Sequence, residues 1–490
     1  MTSTVTPVSI GTKPGGSTVP GNWLDLSPGA EPGRPLPGPE LLKPEMLNLD
    51  VGEQYRFGFS MESCIGCHSC EVACAEQNGL PADTVWRRVG EVEGGDHPDT
   101  RRFHLSMSCN HCLDPACLEG CPTNAYEKLD NGIVAHHADE CIGCQYCTWN
   151  CPYSVPAFQP DRRIVTKCDL CQPRLEEGFA PACVSACPTH AITVEKVDVA
   201  AWRADHQLAE GPQLPAAGLT ISTTRIELPN DVPADTFAAS DWNLRPEHPH
   251  WPLVWLTLVT QLALGVSATA ATATDRTVAC ALAGAGMFGA LLHLGRPAVA
   301  YKALRNLRRS WLSREVALLT LYAGVAAGAA VVEELAVPAA VVGAAGVFAS
   351  ARLYVVPGRP AWHTPITVVR FFATALALGP IVTGLRPVAA AGVLLGLAAT
   401  AGNWWRLSRN ADRSWSGSVD LELRWFRSAT VVRFLSAFAA VAVLVLGGPL
   451  AVAFVLAATA ELLGRWLFFV TVVPLNMPGS FFRGAAGGHR

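Results

Sequence analysis

Long apolar runs dominate the second half of the chain. They recur from residue 251 onward, and each is about 18–22 residues long, enough to span ~30 Å of hydrocarbon at ~1.5 Å per residue. So many long runs with so few charges argue against a soluble helical domain. The pattern predicts eight membrane-spanning helices, with seven as the main alternative. We place the eight runs at 251–272, 277–294, 315–332, 336–356, 365–385, 387–405, 430–447 and 449–472.

The first half has no such run. Its first 50 residues contain nine Pro and seven Gly, which predicts an extended, mostly disordered arm. Further on, Asp130-Asn131-Gly132 between two short apolar runs is a hairpin signal, and AITVEKV at 191–197 predicts a closing strand. The next stretch is polar and contains Pro, as a linker does. The predicted divisions are an arm at 1–50, a folded domain at 51–195, a linker at 196–247, a membrane domain at 248–475 and a tail at 476–490.

The two halves are opposite in charge. Residues 1–250 carry 17 Lys and Arg against 33 Asp and Glu, a net of −16, whereas residues 251–490 carry 20 against 8, a net of +12. The formal net charge of −4 over 490 residues hides this split. The split excludes a single soluble globule, a disordered polymer and a nucleic-acid-binding protein with a basic soluble face. We therefore expect no nucleic-acid partner.

Sixteen of the 17 cysteines lie in four consecutive groups. The first and third groups have the C-x2-C-x2-C-x3-C spacing of bacterial ferredoxins, and the second and fourth are stretched forms of it. In that spacing, three thiolates in a tight loop hold irons of one cubane, and the fourth holds a neighbouring cluster. The groups are Cys64, Cys67, Cys70 and Cys74; Cys109, Cys112, Cys117 and Cys121; Cys141, Cys144, Cys147 and Cys151; and Cys168, Cys171, Cys183 and Cys187.

At four thiolates per cluster, these cysteines predict four [4Fe–4S] clusters, with all sixteen as iron ligands. A disulfide framework fits poorly because the spacings are too tight and no export signal is evident, and structural zinc would use isolated C-x2-C pairs further apart. His68, His111 and His190 lie outside the ligand pattern and are expected to be solvated loop residues. The predicted fold is an α+β ferredoxin-like poly-[4Fe-4S] domain followed by an all-α polytopic membrane domain of about eight transmembrane helices.

The order of the groups resembles the electron-transfer subunit of dimethyl sulfoxide reductase-type molybdoenzymes. In that family the first and fourth groups share two clusters, and the second and third share two. Related nitrate reductase subunits with Trp at one third-group position hold a three-iron cluster; Cys144 stands at that position here, so the resemblance implies four cubanes. The implied ligand sets are Cys64, Cys67, Cys70 with Cys187; Cys168, Cys171, Cys183 with Cys74; Cys109, Cys112, Cys117 with Cys151; and Cys141, Cys144, Cys147 with Cys121.

Two ionisable residues form a candidate quinol site. His293 ends the second apolar run and Glu315 begins the third, and the basic loop between them returns the chain to the same membrane face. Ionisable residues at membrane depth are costly and are functional candidates by default. A quinol loses two protons as it loses two electrons; a His with a pKa of about 6.5 can accept one, and a carboxylate can accept or relay the other. The alternative is that both residues cap helices and snorkel.

The same residues carry a second resemblance. HLGRPAVAYKALRNLRRSWLSREV at 293–316 is similar to the membrane anchor subunit of the same reductase family, as are HPHWPLVWLTLVTQLALG at 248–265 and, more weakly, ELLGRWLFF at 461–469. This resemblance implies that His293 and Glu315 take part in menaquinol oxidation. Arg296 and Arg314 are expected as neighbours.

The remaining membrane charges lie near one face. Glu461 and Arg465, four residues apart, are expected to neutralise each other, and Arg370 and Arg433 to snorkel or bind lipid phosphate. With eight spans, both chain ends lie on one side, whose loops and tail carry 15 Lys and Arg against two on the other side. This asymmetry predicts a multi-pass protein of the cytoplasmic (inner) membrane with its iron–sulfur domain in the cytoplasm. The alternative is that a partner bearing an export signal carries that domain across.

These features predict an electron-transfer and membrane-anchor subunit, formed by two normally separate subunits joined at 196–247. It would oxidise a membrane quinol and pass electrons through four clusters to a separate catalytic subunit carrying a molybdopterin cofactor, because this chain offers no identifiable pterin or substrate pocket. One alternative is the same machinery run in reverse, as a quinone-reducing subunit. Others are a pure membrane anchor for a ferredoxin domain and an ion-pumping subunit, which would need charges along several spans.

Overall fold

The computed structural model describes residues 40–475 except 83, 96, 233–235, 240–243 and 411, and only the backbone of 238–239. Most of the predicted arm and the whole predicted tail lie outside the described residues. The soluble part consists of short strands and short helices. Its strands are β1 (Glu53–Ser60), β2 (Arg88–Gly94), β3 (Arg101–Met107), β4 (Tyr126–Lys128), β5 (Val134–His136), β6 (Ala157–Gln159), β7 (Ile164–Thr166), β8 (Ile192–Asp198), β9 (Arg225–Glu227) and β10 (Ala238–Ala239). Its helices are α1 (Ser69–Gln77), α2 (Ala116–Gly120), α3 (Tyr146–Asn150), α4 (Gln172–Glu176), α5 (Ala182–Ser185) and α6 (Val199–Ala204).

Strand β1 is the centre of the first sheet. It pairs antiparallel with β8 and parallel with β9. Tyr55, Phe57 and Phe59 alternate along β1 and are buried, as the two-residue period of a strand requires. A second sheet has the order β10-β2-β3, and β4–β5 and β6–β7 are separate hairpins. The predicted hairpin around Asp130-Asn131-Gly132 is β4–β5, and the predicted closing strand is β8, so both predictions are confirmed.

Residues 196–232 pack into the soluble domain, and β10 adds to its second sheet, instead of forming the predicted linker. Strand β8 runs past residue 196, β9 completes the first sheet, and β10 pairs with β2. Trp202 of α6 is buried and donates its Nε1–H to the Ser222 carbonyl at 2.8 Å. The segment looked like a linker because its apolar residues are sparse and its burial relies on hydroxyl groups, with Thr220, Ser222, Thr223 and Thr224 all buried.

Within the described residues, eight helices are long and apolar enough to cross a membrane, as the sequence predicts. Their ends lie within a few residues of the predicted ones. A short helix and a π-helical turn at Leu421–Trp425 also fill what looked like a loop before the seventh span. In chain order the helices are α7 (Trp251–Thr269), α8 (Ala273–His293), α9 (Trp311–Val331), α10 (Ala336–Tyr354), α11 (Pro365–Val382), α12 (Arg386–Ser408), the short α13 (Arg413–Asp420), α14 (Arg427–Val445) and α15 (Leu450–Val470).

Glycines allow the closest helix crossing in the membrane half. A Cβ on Gly265 of α7 would collide with the Ala375 carbonyl oxygen of α11 and would lie 2.9 Å from Gly379 Cα. A Cβ on Gly379 would in turn collide with the backbone of Gly265. Small residues that let two backbones meet are how helices pack in lipid, where burial of apolar surface gives little gain. Helices α7 and α11 therefore depend on this pair of glycines.

We expect Gly265→Ala to destabilise the membrane half by ~1–3 kcal/mol, because backbone atoms cannot move aside as a flexible side chain can. Gly284→Ala in α8 is the matched control, since a Cβ there meets nothing within 4 Å. Unfolding of each purified variant in increasing SDS, followed by tryptophan fluorescence, gives the comparison. Equal unfolding midpoints for the two variants would contradict the close α7–α11 crossing.

Candidate electron-transfer and quinol site

The sixteen thiols of the four cysteine groups lie in four sets, each drawing on two groups. Around Cys64, the thiolates of Cys70, Cys187 and Cys67 add to the effect of burial, the main cause, in raising its pKa to about 11. Thiols of the other sets interact electrostatically with one another in the same way, which identifies their neighbours. Lettered outward from the membrane half, set A is Cys121, Cys141, Cys144 and Cys147; set B is Cys109, Cys112, Cys117 and Cys151; set C is Cys74, Cys168, Cys171 and Cys183; and set D is Cys64, Cys67, Cys70 and Cys187.

The spacing within a set suits a cluster better than a single ion. In the described part of the chain, no three Cys, His, Asp or Glu side chains converge as the ligands of one ion must. Instead, the four thiols of set B line one cavity, together with Lys167, Thr220 and apolar residues. A cubane binds each thiolate through a different iron, so its four thiolates can lie further apart than the ligands of a single ion. The donors, all soft thiolates, fit [4Fe–4S] clusters.

The cysteine loops turn through left-handed residues that direct backbone N–H groups at sulfur. In the first and third groups these residues are Gly66 and Gly143, with φ of +67° and +68°, and then His68 and Gln145, with φ of +60° and +59°. The Gly143 N–H lies 3.4 Å from Cys141 Sγ. Runs of such inward-facing N–H groups are typical of iron–sulfur sites, because they stabilise negative charge on the sulfur atoms. Ala125 and Leu170 make similar bonds to Cys121 and Cys168, at 3.3 and 3.4 Å.

Set A rests on the loop between α8 and α9. The Asn306 amide donates to the Cys121 carbonyl at 2.8 Å, and the Arg296 guanidinium donates to the Cys141 carbonyl at 3.4 Å. Gly143 and Gly295 meet backbone to backbone, so neither position has room for a side chain. The cysteine loop and the membrane loop are therefore packed as one unit.

His293 ends α8 directly beneath set A. Its Nε2 lies 3.2 Å from the Cys144 carbonyl oxygen. A carbonyl only accepts, so Nε2 carries the proton and Nδ1 is left with its lone pair. Among the described residues, Nδ1 makes no hydrogen bond. This predicted quinol residue therefore bonds to the backbone of a candidate iron ligand.

Glu315 is the fifth residue of α9 and is also at this interface. Its side chain is 6% exposed and lies beside the Ser350 hydroxyl of α10. Its Oε1 has no hydrogen-bond partner among the described residues. Tyr146, between two cysteines of set A, is close enough to interact electrostatically with the Glu315 carboxylate. His293 and Glu315 thus face the same cysteine loop, although no hydrogen bond joins them.

The two predicted arginine neighbours differ. Arg296 bonds to the third cysteine group, donating to the Ala138 carbonyl at 3.1 Å as well as to Cys141. Arg314 folds back on its own loop, where it donates to the Leu307 carbonyl at 2.9 Å and covers the Trp311 ring at 4.5 Å. Of the two, only Arg296 is in contact with the cysteine loops.

An aromatic cluster that the sequence did not single out joins the two halves. Trp149 of α3 packs edge-on against Trp362, with ring centroids 5.3 Å apart, and against His250 at 5.0 Å. The His250 ring lies 5.6 Å from His293. Burial, with His293 and His248 nearby, lowers the pKa of His250 to about 3, so this ring is neutral at physiological pH. The sequence feature that could have singled out His250 is its place in the HPHW segment, just before α7.

His111 is buried, which corrects the expectation that it is a solvated loop residue; His68 and His190 are exposed as expected. The Val134 N–H donates to its Nδ1 at 3.1 Å, so Nε2 carries the proton and lies 4.0 Å from Cys168 Sγ. Burial, followed by the charges of Lys167 and Lys128, holds the pKa of His111 well below its usual value. It is therefore a neutral donor toward a thiolate.

The buried charges of the membrane half also differ from expectation. Arg433 neither snorkels nor faces lipid; it lies 3.3 Å from Glu422, and both side chains are buried. Glu461 and Arg465 do not pair directly but meet through Thr374 of α11, whose hydroxyl lies 2.6 Å from Glu461 and 3.3 Å from Arg465. The spacing of four allowed a direct pair, but a neighbouring helix, α11, supplies a partner for both side chains.

Comparisons with known proteins agree with this arrangement. Residues 100–197 match a family model described as a 4Fe-4S dicluster domain, and residues 247–390 match one described as the DMSO reductase anchor subunit (DmsC). One chain of the anaerobic dimethyl sulfoxide reductase of Haemophilus influenzae is 38% identical over 177 residues, covering 34% of this chain and 86% of that protein. Its counterpart from Escherichia coli K12 is 40% identical over 153 residues, covering 30% and 75%. A sulfite dehydrogenase subunit of Allochromatium vinosum is 38% identical over 150 residues, covering 26% and 62%.

The soluble part thus matches the iron–sulfur chain of the reductase over most of that protein's length, and the helices from α7 to α11 match the anchor. The protein is an iron–sulfur electron-transfer subunit joined to a multi-pass membrane anchor, and it belongs to the family of dimethyl sulfoxide reductase iron–sulfur subunits.

Proposed function

We propose that this chain oxidises a membrane quinol, menaquinol by resemblance, and delivers the electrons to a separate molybdopterin-containing catalytic subunit. The single observation that carries the proposal is the bond from His293 Nε2 to the Cys144 carbonyl, at 3.2 Å. A residue suited to take a quinol proton thereby touches the backbone of a candidate cluster ligand. A pure anchor would need no such contact.

The chemistry of the site follows from the two side chains. A quinol releases two protons with two electrons. His293 Nδ1, whose lone pair is free because Nε2 is bonded to Cys144, would accept one proton. The Glu315 carboxylate, whose Oε1 lacks a hydrogen-bond partner among the described residues, would accept or relay the other. Four [4Fe–4S] clusters in sets A to D would carry the electrons singly away from the membrane.

Set D is proposed as the exit toward the catalytic subunit. It is the set with an exposed thiol, Cys67, while Cys64 and Cys187 are half-buried. Ile65 and Val72 beside it are 62% and 57% exposed, an apolar patch of the kind that marks a protein interface. The net charge of −16 on residues 1–250 would steer a partner of complementary charge.

We also propose that the iron–sulfur domain lies on the cytoplasmic side of the inner membrane. The support is the 15 Lys and Arg on that side against two on the other. Some of these have a second role, because they bond to the iron–sulfur domain. They are Arg296, Lys302, Arg305, Arg309 and Arg359. When these five are left out, eight basic residues remain on the cytoplasmic side in the described part of the chain. The other side has two, Arg276 and Arg386.

The sidedness is tested by reporter fusions at the C-terminus, co-expressed with the neighbouring catalytic subunit. We expect fluorescence from a green fluorescent protein fusion and no activity from an alkaline phosphatase fusion, which folds only outside the cytoplasm. Fusions in the loop between α7 and α8, near residue 271, should give the opposite pattern. An active C-terminal phosphatase would reverse the orientation.

The cluster assignment predicts ~16 irons per chain after anaerobic purification. Because each set borrows one cysteine from another group, Cys74→Ser should disturb set C and Cys187→Ser set D, each lowering iron to about twelve when the cluster is lost. Cys280→Ser, a cysteine of α8 outside the sets, is the control and should keep all its iron. Zinc in place of iron, or unaltered iron in both variants, would refute the assignment.

For the quinol site, we expect His293→Leu to abolish reduction of the clusters by a naphthoquinol analogue while iron content stays unchanged. Glu315→Gln should slow it by about 10²-fold, the usual effect of losing a general base. His363→Leu, at the same membrane face but bonded to no cysteine loop, is the matched control. The measurement is bleaching of iron–sulfur absorbance after anaerobic mixing. Wild-type rates in His293→Leu would favour a pure anchor.

A further inference from the structure

Two basic side chains are buried in the soluble domain without a carboxylate partner among the described residues. Arg87 is 2% exposed and Lys167 is 4% exposed. Removing an unpaired charge from water costs several kcal/mol, so such residues persist only where other negative groups offset the cost. Candidate cluster thiolates exert the largest attraction on both side chains, and the Asp169 carboxylate adds a smaller one at Lys167.

Arg87 lies between sets C and D. It interacts with Cys183, Cys168 and Cys74 of set C and with Cys70 of set D. Its guanidinium donates to the Ser106 hydroxyl at 3.1 Å, and that hydroxyl lies 3.4 Å from Cys70 Sγ. A second bond, to the Ser108 hydroxyl at 2.9 Å, holds it in place. These hydroxyl partners are neutral, so they leave its charge uncompensated.

Lys167 occupies the equivalent position between sets B and C. It interacts with Cys109 and Cys117 of set B, with Cys168 of set C and, more weakly, with the Asp169 carboxylate. Its Nζ donates to the carbonyls of Cys168, at 2.9 Å, and Val134, and it lines the set B cavity. Between sets A and B the corresponding polar group is the neutral Tyr126, close to Cys147 and Cys117. The cations thus occupy two successive gaps and not the one nearest the membrane.

We propose that Lys167 and Arg87 are fixed counter-charges at these two gaps, and that each raises the reduction potentials of both neighbouring clusters. The inference rests on the proposed four-cluster relay. A cluster with four thiolates is net negative and gains one more negative charge on reduction, so a nearby cation stabilises the reduced form more. The low dielectric of the interior strengthens this effect. Each transfer oxidises one cluster and reduces the next by one electron, with no proton moved.

The test is a redox titration of the four clusters in membranes, followed by electron paramagnetic resonance. Lys167→Gln keeps a hydrogen-bond donor and removes the charge. We expect it to lower the equilibrium constant for one-electron reduction of the clusters in sets B and C at least tenfold, which is a fall of about 59 mV in reduction potential. Arg87→Gln should lower those in sets C and D. Only the cluster in set C should have a lower reduction potential in both variants. Lys196→Gln, which removes a surface cation paired with Glu53, is the control.

The charge-conserving variants Lys167→Arg and Arg87→Lys should keep wild-type potentials. If the Gln variants lose iron while these variants retain it, charge and not shape is required, which supports the proposal. Iron-replete Gln variants with four unaltered potentials would overturn it, as would loss of iron in the charge-conserving variants too. Fewer than ~16 irons in the unmodified chain would instead reject the relay itself.

Discussion

The outward-facing carbonyls of the cysteine loops nearest the membrane are the constraint that fixes the two halves together. A loop that turns its N–H groups toward sulfur leaves carbonyls that need donors elsewhere. The last residue of α8 and the segment between α8 and α9 supply them, from His293 to Cys144, from Arg296 to Cys141 and from Asn306 to Cys121. Since this segment joins the helices that carry His293 and Glu315, the same bonds position both the cysteine loop and the two residues proposed to accept protons.

Apolar packing reinforces the same junction. Ile142, Tyr146 and Trp149 of the third cysteine group belong to one hydrophobic core with residues of α7, α10 and α11. A hydrophobic core shared by two domains is less polar than a transient contact, so hinge motion is not the default expectation. Strands β9 and β10 return the polypeptide across the soluble sheets before it enters α7. Joining the two parts in one polypeptide makes their association independent of concentration.

The features that could be predicted from sequence have local causes. Three ligands of a cluster must be close in sequence to fit one loop, as Cys141, Cys144 and Cys147 are, and a spanning helix has a length fixed by the bilayer. Other features depend on distant partners. His111 is buried because Val134 and Cys168 meet it from other elements, and Glu422 pairs with Arg433 across the π-helical turn. The segment that begins at residue 196 is held in part by hydroxyl groups, such as those of Thr223 and Thr224, which donate to Asn110 and leave no apolar period to detect.

The uneven exposure of the thiol sets bears on how the protein survives oxygen. Oxidants reach an accessible thiolate first and can drive it to sulfinic or sulfonic acid, which cells rarely reverse. Cys67 is open to solvent, whereas all four cysteines of set A and of set C are buried. A catalytic subunit docked at set D would therefore shield the exposed thiol of Cys67 from oxidants. A chain that stays long without its partner would be oxidised first at set D, while set A next to the membrane half stays intact. The timing of assembly therefore becomes part of its protection against air.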